Sequence, residues 1–159
     1  MKAYIVGPLF TEAEERQRLL EGKMLRNLFE KLNIELELSN PVEFEFDEDS
    51  TSSDIFTKDH KALSEADFII FDLSNEDSGS CVALGLTIND LMRGRDVKIY
   101  PVMHDCRMAR NGKSGLESTC GFNSMVVGSL KANNITIYND FKEVVKAIML
   151  DLKEGKYNV

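Results

Sequence analysis

Hydrophobic and polar positions along this chain switch repeatedly between the two-residue rhythm of a strand and the three-to-four-residue rhythm of a helix. Lys2-Ala-Tyr-Ile-Val-Gly7 is a short apolar run ending at Gly7-Pro8, which predicts a strand. Thr11 with Glu14 three residues on predicts a capping box. Leu20, Met24, Leu28 and Leu32 then give the helix one buried stripe. Ile34-Glu-Leu-Glu-Leu38 alternates and predicts a second strand near the sheet edge.

Residues 40–53 are acidic and Ser-rich, with Phe44 and Phe46 embedded, and predict a surface loop long enough to bind or cover a ligand. A helix is expected over 54–66, with Ile55, Ala62, Leu63 and Ala66 inward, and a buried strand over 67–73. A helix over 78–93 and a strand over 97–102 follow, then a second long loop over 104–121 and a helix near 122–131. Asn134-Ile-Thr-Ile-Tyr138 predicts a fifth strand, and Asn139 or Asp140 caps a last helix with Val144, Val145, Ile148 and Leu152 as its apolar face. Strands alternating with helices predict one α/β domain over residues 1–159. Its fold class is doubly wound: a five-stranded, mainly parallel sheet with helices on both faces, flavodoxin-like or Rossmann-like.

Composition narrows the function classes. The net charge of −8 disfavours a nucleic-acid binder, which needs a basic face, but is neutral toward an uncharged small ligand. Cys81, Cys106 and Cys120 have neither CxxC nor paired spacing and predict free thiols in a reducing cytosol. His60 and His104 show no zinc-ligand spacing, so no metal is expected. No apolar run approaches the roughly 20 residues that span a membrane, and Met1-Lys2 leads straight into a strand, so a cytoplasmic setting without signal peptide is expected.

In open α/β folds, ligands bind outside the carboxyl ends of the strands. That edge should collect Gly7, Pro8, Leu9 and Phe10 after the first strand, Asp59 from the helix before the third, and Asp77-Ser-Gly-Ser-Cys-Val-Ala-Leu-Gly85 after it. Gly79 permits a tight turn there, but neither GxxxxGK[ST] nor GxGxxG is present. The plain reading of Asp77 is a helix N-cap, that of Asp59 a solvated helix residue, that of Asp67 structural, and that of Asn123 and Met125 capping and packing. Asp105-Cys-Arg107 is either an ion pair or a ligand clamp.

Taken together, Tyr4-Ile-Val-Gly-Pro-Leu-Phe10, Asp59-x-x-x-Leu63-x-x-x-Asp67, Asp77-Ser-Gly-x-x-Val-Ala-Leu-Gly85 and Asn123-x-Met125 resemble the nucleoside 2-deoxyribosyltransferase family. The similarity covers nearly the whole chain in order and spacing. It implies exchange of purine and pyrimidine bases between 2'-deoxyribonucleosides. A glutamate attacks the anomeric carbon, and a second base then attacks the covalent deoxyribosyl-enzyme, as in a retaining glycosidase with a base in place of water. No cofactor is needed. By resemblance, Asp77 protonates the leaving base, Asp59 is a second active-site aspartate, and the Tyr4 hydroxyl lies near the nucleophile. Gly7, Pro8, Leu9, Phe10 and Gly79 line the sugar and base pocket, and a residue around Glu43–Phe46 reads the base. Asn123, with Met125, completes a neighbour's site in a homo-oligomer, dimer or hexamer. Tyr157 is a candidate for a carboxyl-terminal contribution.

The nucleophilic glutamate falls on Ala83. Alanine has no lone pair to attack with, so double displacement cannot start. Three explanations stand: a glutamate-to-alanine change that inactivates a transferase, a nucleoside-binding paralogue that does not transfer, and a relative in which Asp77 or Asp59 serves as a hydrolase base. A 2'-deoxynucleoside 5'-monophosphate N-hydrolase is the alternative activity; Ser50–Ser53 and Arg107 are its candidate phosphate contacts.

Overall fold

The computed structural model describes residues 1–104 and 121–157. Five parallel-sheet units were expected, and four strands form among the described residues: β1 (Lys2–Val6), β2 (Glu37–Ser39), β3 (Phe68–Asp72) and β4 (Lys98–Val102). The helices are α1 (Glu12–Leu32), α2 (Ser52–Glu65), α3 (Ser78–Met92), α4 (Ser124–Ala132) and α5 (Phe141–Lys153). The sheet order is β2-β1-β3-β4 and every pairing is parallel. β2 is therefore an edge strand, as its short alternating pattern suggested.

The strand period sorts the core into two layers. Ala3, Ile5, Phe68 and Ile70 point to one face and pack with Leu25 and Phe29 of α1 and with Val144 and Ile148 of α5. Tyr4, Val6, Ile69 and Phe71 point to the other and pack with Leu63 of α2, Leu84 and Ile88 of α3, and Leu130 of α4. The fold is thus doubly wound, with helices on both faces. The predicted caps form: Thr11 and Glu14 make the capping box of α1, and Asp140 caps α5.

Three sequence expectations need correction. The fifth strand shrinks to a single parallel bridge between Val102 and Tyr138. Tyr138 N–H donates to Pro101 C=O and Met103 N–H donates to Tyr138 C=O, each at 2.9 Å. The next rung of a parallel ladder would require an N–H at position 101, and proline has none. At the other end, Asn134 takes a left-handed φ of 56° and Ile135 N–H closes onto Leu130 C=O, so these residues finish α4 instead of extending.

The buried stripe of α1 is also displaced. Leu20 is 51% exposed, while Arg18, Glu21, Gly22, Leu25 and Phe29 are buried. Arg18 turns inward because Asp72, at the end of β3, accepts from its guanidinium at 2.6 Å. That contact rotates the helix away from its most apolar row. Third, Ile55 is exposed toward a cavity instead of buried in the core. Asp105, Cys106, Arg107 and Cys120, in the long loop expected after β4, lie outside the described residues.

Candidate functional site

Because Tyr4 and Val6 share the α2–α3 face of β1, the Tyr4 ring stands beside α2. Its hydroxyl donates to Asp59 Oδ1 at 2.9 Å. Burial raises the Asp59 carboxyl above its ordinary value, opposed by the Tyr4 hydrogen bond and by the Lys58 charge. Burial, with the Asp59 charge beside it, pushes the Tyr4 hydroxyl far above its usual range. The pair is therefore a neutral phenol donating to a carboxylate that holds a proton more readily than an exposed aspartate.

Phe44 stacks on the Tyr4 ring at 6.5 Å, and Phe46 meets Phe44 edge-on at 6.3 Å. Lys58 places its Nζ over both phenylalanine rings, 4.9 and 4.6 Å from their centroids, and donates to Glu45 C=O at 2.7 Å. This cation–π clamp ties the loop after β2 to α2, directly before Asp59.

β1 leaves the sheet through Gly7, Pro8, Leu9 and Phe10. The buried Arg18 guanidinium, 1% exposed, packs against Gly7. Arg18 Nη2 donates to Asp72 Oδ2 at 2.6 Å and to Glu21 Oε1 at 3.1 Å. Its Nε lies 2.9 Å from Glu21 Oε2, an ion pair without hydrogen-bond alignment. Burial raises the Glu21 carboxyl to about 7 against the pull of Arg18.

Across the crevice, Asp77 is the N-cap of α3. Its Oδ2 accepts from Ser80 N–H at 2.7 Å and from Ser80 Oγ at 2.8 Å. The plain reading of Asp77 thus holds, and the same side chain also lines the cavity.

These walls enclose a cavity of about 410 Å³, inside the rough 300–1,000 Å³ range of small-molecule sites. Tyr4, Gly7, Pro8, Leu9, Phe10, Asp59, Asp77, Gly79 and Ala83 all line it. The rest of its wall is mostly apolar, and no lysine or arginine lines it among the described residues. A wider crevice of about 560 Å³ lies on the α1–α5 side; of the substrate-pocket residues expected from sequence it holds Pro8 alone, and His104 also lines it.

Several sequence-singled residues lie elsewhere. Glu43 is bound by Arg26 of α1 through two contacts of 2.9 and 2.6 Å and does not line the cavity. Asn123 caps α4, its Oδ1 accepting from Met125 N–H at 2.8 Å, while its own N–H donates to Glu76. Met125 is 82% exposed, and neither residue lines the cavity of its own chain. Tyr157 is buried against Phe68 and Tyr100 and borders Met1, Asp67 and Lys98 at the amino-terminal edge of the sheet, away from this cavity. Asp67 is structural, its carboxylate accepting from Lys2 N–H at 2.7 Å.

Sequence reading missed Phe56 and His60 as site residues; both line the cavity, as does Ser52 of the Ser50–Ser53 cluster. The available signal was positional: with Ile55, Asp59 and Leu63 they complete one α2 stripe at three- and four-residue spacing.

Comparison with known proteins places this arrangement among solved folds. A conserved protein from Enterococcus faecalis V583 superposes with a TM-score of 0.70 at 19% identity, over 92% of this chain and 95% of that one. A 2-deoxyribosyltransferase from Leishmania mexicana gives 0.61 at 18% identity, over 93% and 96%. A 2-deoxyribosyltransferase from Bacillus psychrosaccharolyticus gives 0.54 at 17% identity, over 91% and 90%. An uncharacterized protein of Ureaplasma parvum is 27% identical over 161 residues, spanning 97% of this chain and 98% of that one. No family model matches the chain. The chain therefore has a nucleoside 2-deoxyribosyltransferase-like fold.

Proposed function

We propose that this chain is a protein of the nucleoside 2-deoxyribosyltransferase type that binds 2'-deoxyribonucleosides and free bases, and that Ala83 withholds base exchange. One observation carries the reading. The Ala83 side chain lines the same cavity as the Tyr4–Asp59 pair and the Asp77 carboxylate. In this reading the anomeric carbon of the sugar faces position 83, with the groups for proton transfer around it and the attacking carboxylate replaced by a methyl group.

A glutamate at position 83 would supply the missing electron pair. Its carboxylate would form a bond to the anomeric carbon as the bond to the base breaks, through an oxocarbenium-like transition state that nearby carboxylates stabilise. The departing base would take its proton from Asp77, whose Oδ1 is free of the capping bonds made by Oδ2. Tyr4 would orient Asp59 and leave its second oxygen for the sugar. A second base would then attack the same carbon, give its ring proton back to Asp77 and release the glutamate as a carboxylate.

The wall chemistry favours a neutral nucleoside over a nucleotide. Asp59 and Asp77 would repel a 5'-phosphate, and the described lining offers no lysine or arginine to offset them. Asn123 and Met125, exposed at the start of α4, would serve a second copy of the chain in a homo-oligomer.

Calorimetric titration with 2'-deoxyadenosine and thymidine should give saturable binding to the chain as it stands. The Ala83→Glu protein should exchange the base of a deoxynucleoside for a free base, read by chromatography. A folded Ala83→Glu protein that yields no exchange product, together with no nucleoside binding before the change, would overturn the proposal.

A further inference from the structure

Helix α2 has an inner stripe that it does not bury. Ser52, Ile55, Phe56, Asp59, His60 and Leu63 recur at the spacing of one helical face, and all line the cavity. Only Leu63, at the base, is sealed into the core. Ordinarily such a stripe packs against a sheet, and leaving it open strands apolar area in water. Phe56 is 54% exposed although it points into a walled space.

Within that stripe, Phe56 and His60 stand one turn apart. Their rings stack at 5.5 Å with planes inclined by 27°. They form a short ring stack next to Asp59, whose carboxylate is already held by Tyr4. Among the described residues no hydrogen bond engages the His60 ring. An unfilled face with two near-parallel rings fits a planar partner better than an aliphatic one, because offset stacking rewards a second π surface.

We infer that Phe56 and His60 form the surface on which the ligand's planar heterocycle stacks, with His60 able to meet a ring nitrogen or exocyclic group at its edge. The inference rests on the nucleoside reading and assigns the base-contacting face to α2, where the sequence had pointed to the loop around Glu43. Glu43 is held on Arg26, so that loop is unlike a free base reader.

The test uses 2-aminopurine 2'-deoxyriboside, whose fluorescence falls when it stacks, and the chain has no tryptophan to interfere. The protein should bind and quench it. Phe56→Ala and His60→Ala should each weaken binding by about tenfold or more and abolish most quenching. Phe56→Tyr and His60→Phe should preserve both. Retained affinity and quenching in the alanine variants would overturn the inference. So would a loss of binding accompanied by a changed molar mass in light scattering, which would assign the stripe to a subunit contact. Should the unaltered chain quench free 2-aminopurine but not its deoxyriboside, the stacking surface stands and the nucleoside reading fails. Binding neither probe overturns both.

Discussion

The Arg18 guanidinium occupies the space a side chain at Gly7 would need: a Cβ added there would lie 1.8 Å from Arg18 Nη1 and 3.1 Å from Asp72 Cβ. Gly7 is therefore fixed by packing beneath the cavity as much as by any ligand in it. The turn that delivers Pro8, Leu9 and Phe10 rests on a buried charge cluster reaching from α1 to β3.

Gly7→Ala should consequently be costly. Either Arg18 leaves Asp72 and Glu21, exposing two carboxylates to an unpaired interior, or β1 shifts and the turn moves with it. We expect a loss of about 2–4 kcal/mol in denaturant titration, the scale of overpacking combined with a broken buried ion pair. Nucleoside binding should fall in the same variant.

Glu21 gives a pH signature. Its carboxyl is raised from an ordinary 4.5 to about 7 by burial, so the folded state binds this proton more tightly than the unfolded chain. The stability linked to it is fully present below about pH 4.5 and is lost as pH rises to about 7. Gln17 and Arg18 on α1 and Asp72 on β3 face this carboxyl. Glu21→Gln should flatten the fall, so the stability difference between variant and parent grows from pH 5 to 7 and then levels off. Thermal melts across that range would read it; a constant difference would show that Glu21 titrates normally.

Asp77 caps α3, and substitution can separate that role from the proton transfer proposed for it. Asp77→Asn keeps a side-chain oxygen for the α3 cap and should leave stability nearly unchanged. Asp77→Ala removes the bonds to Ser80 and should cost about 1 kcal/mol. If the carboxyl also gives its proton to a leaving base, both variants of the Ala83→Glu protein should lose base exchange to a similar degree. Exchange that survives in Asp77→Asn would confine Asp77 to capping.

Much of this was legible in the chain because it is written locally. Thr11 and Glu14, Asp77, and Asp140 announce helix starts within three residues, and the apolar run within 67–73 reads as a buried strand. What failed depended on distant partners. Arg18 and Glu21 fall outside the apolar row expected to be buried, since nothing nearby in sequence reveals that Asp72 draws Arg18 inward. The run at 134–138 has every local mark of a strand, yet its partner carries a proline where a donor is required. Phe56 and His60 look like exposed residues on a polar helix face until the opposite wall is known. At the cavity, the resemblance selected positions on β1, α2 and α3 that do converge, whereas Glu43 stands outside its lining, held by Arg26 of another element.

Pro101 has a further consequence. A strand arriving from another molecule along β4 would meet a missing donor midway and Tyr138 already holding the neighbouring rung. Sheet edges with a full row of donors and acceptors invite fibrous growth, whereas this one breaks the register after a single residue. At β4, edge-to-edge addition is opposed by the backbone itself, at Pro101.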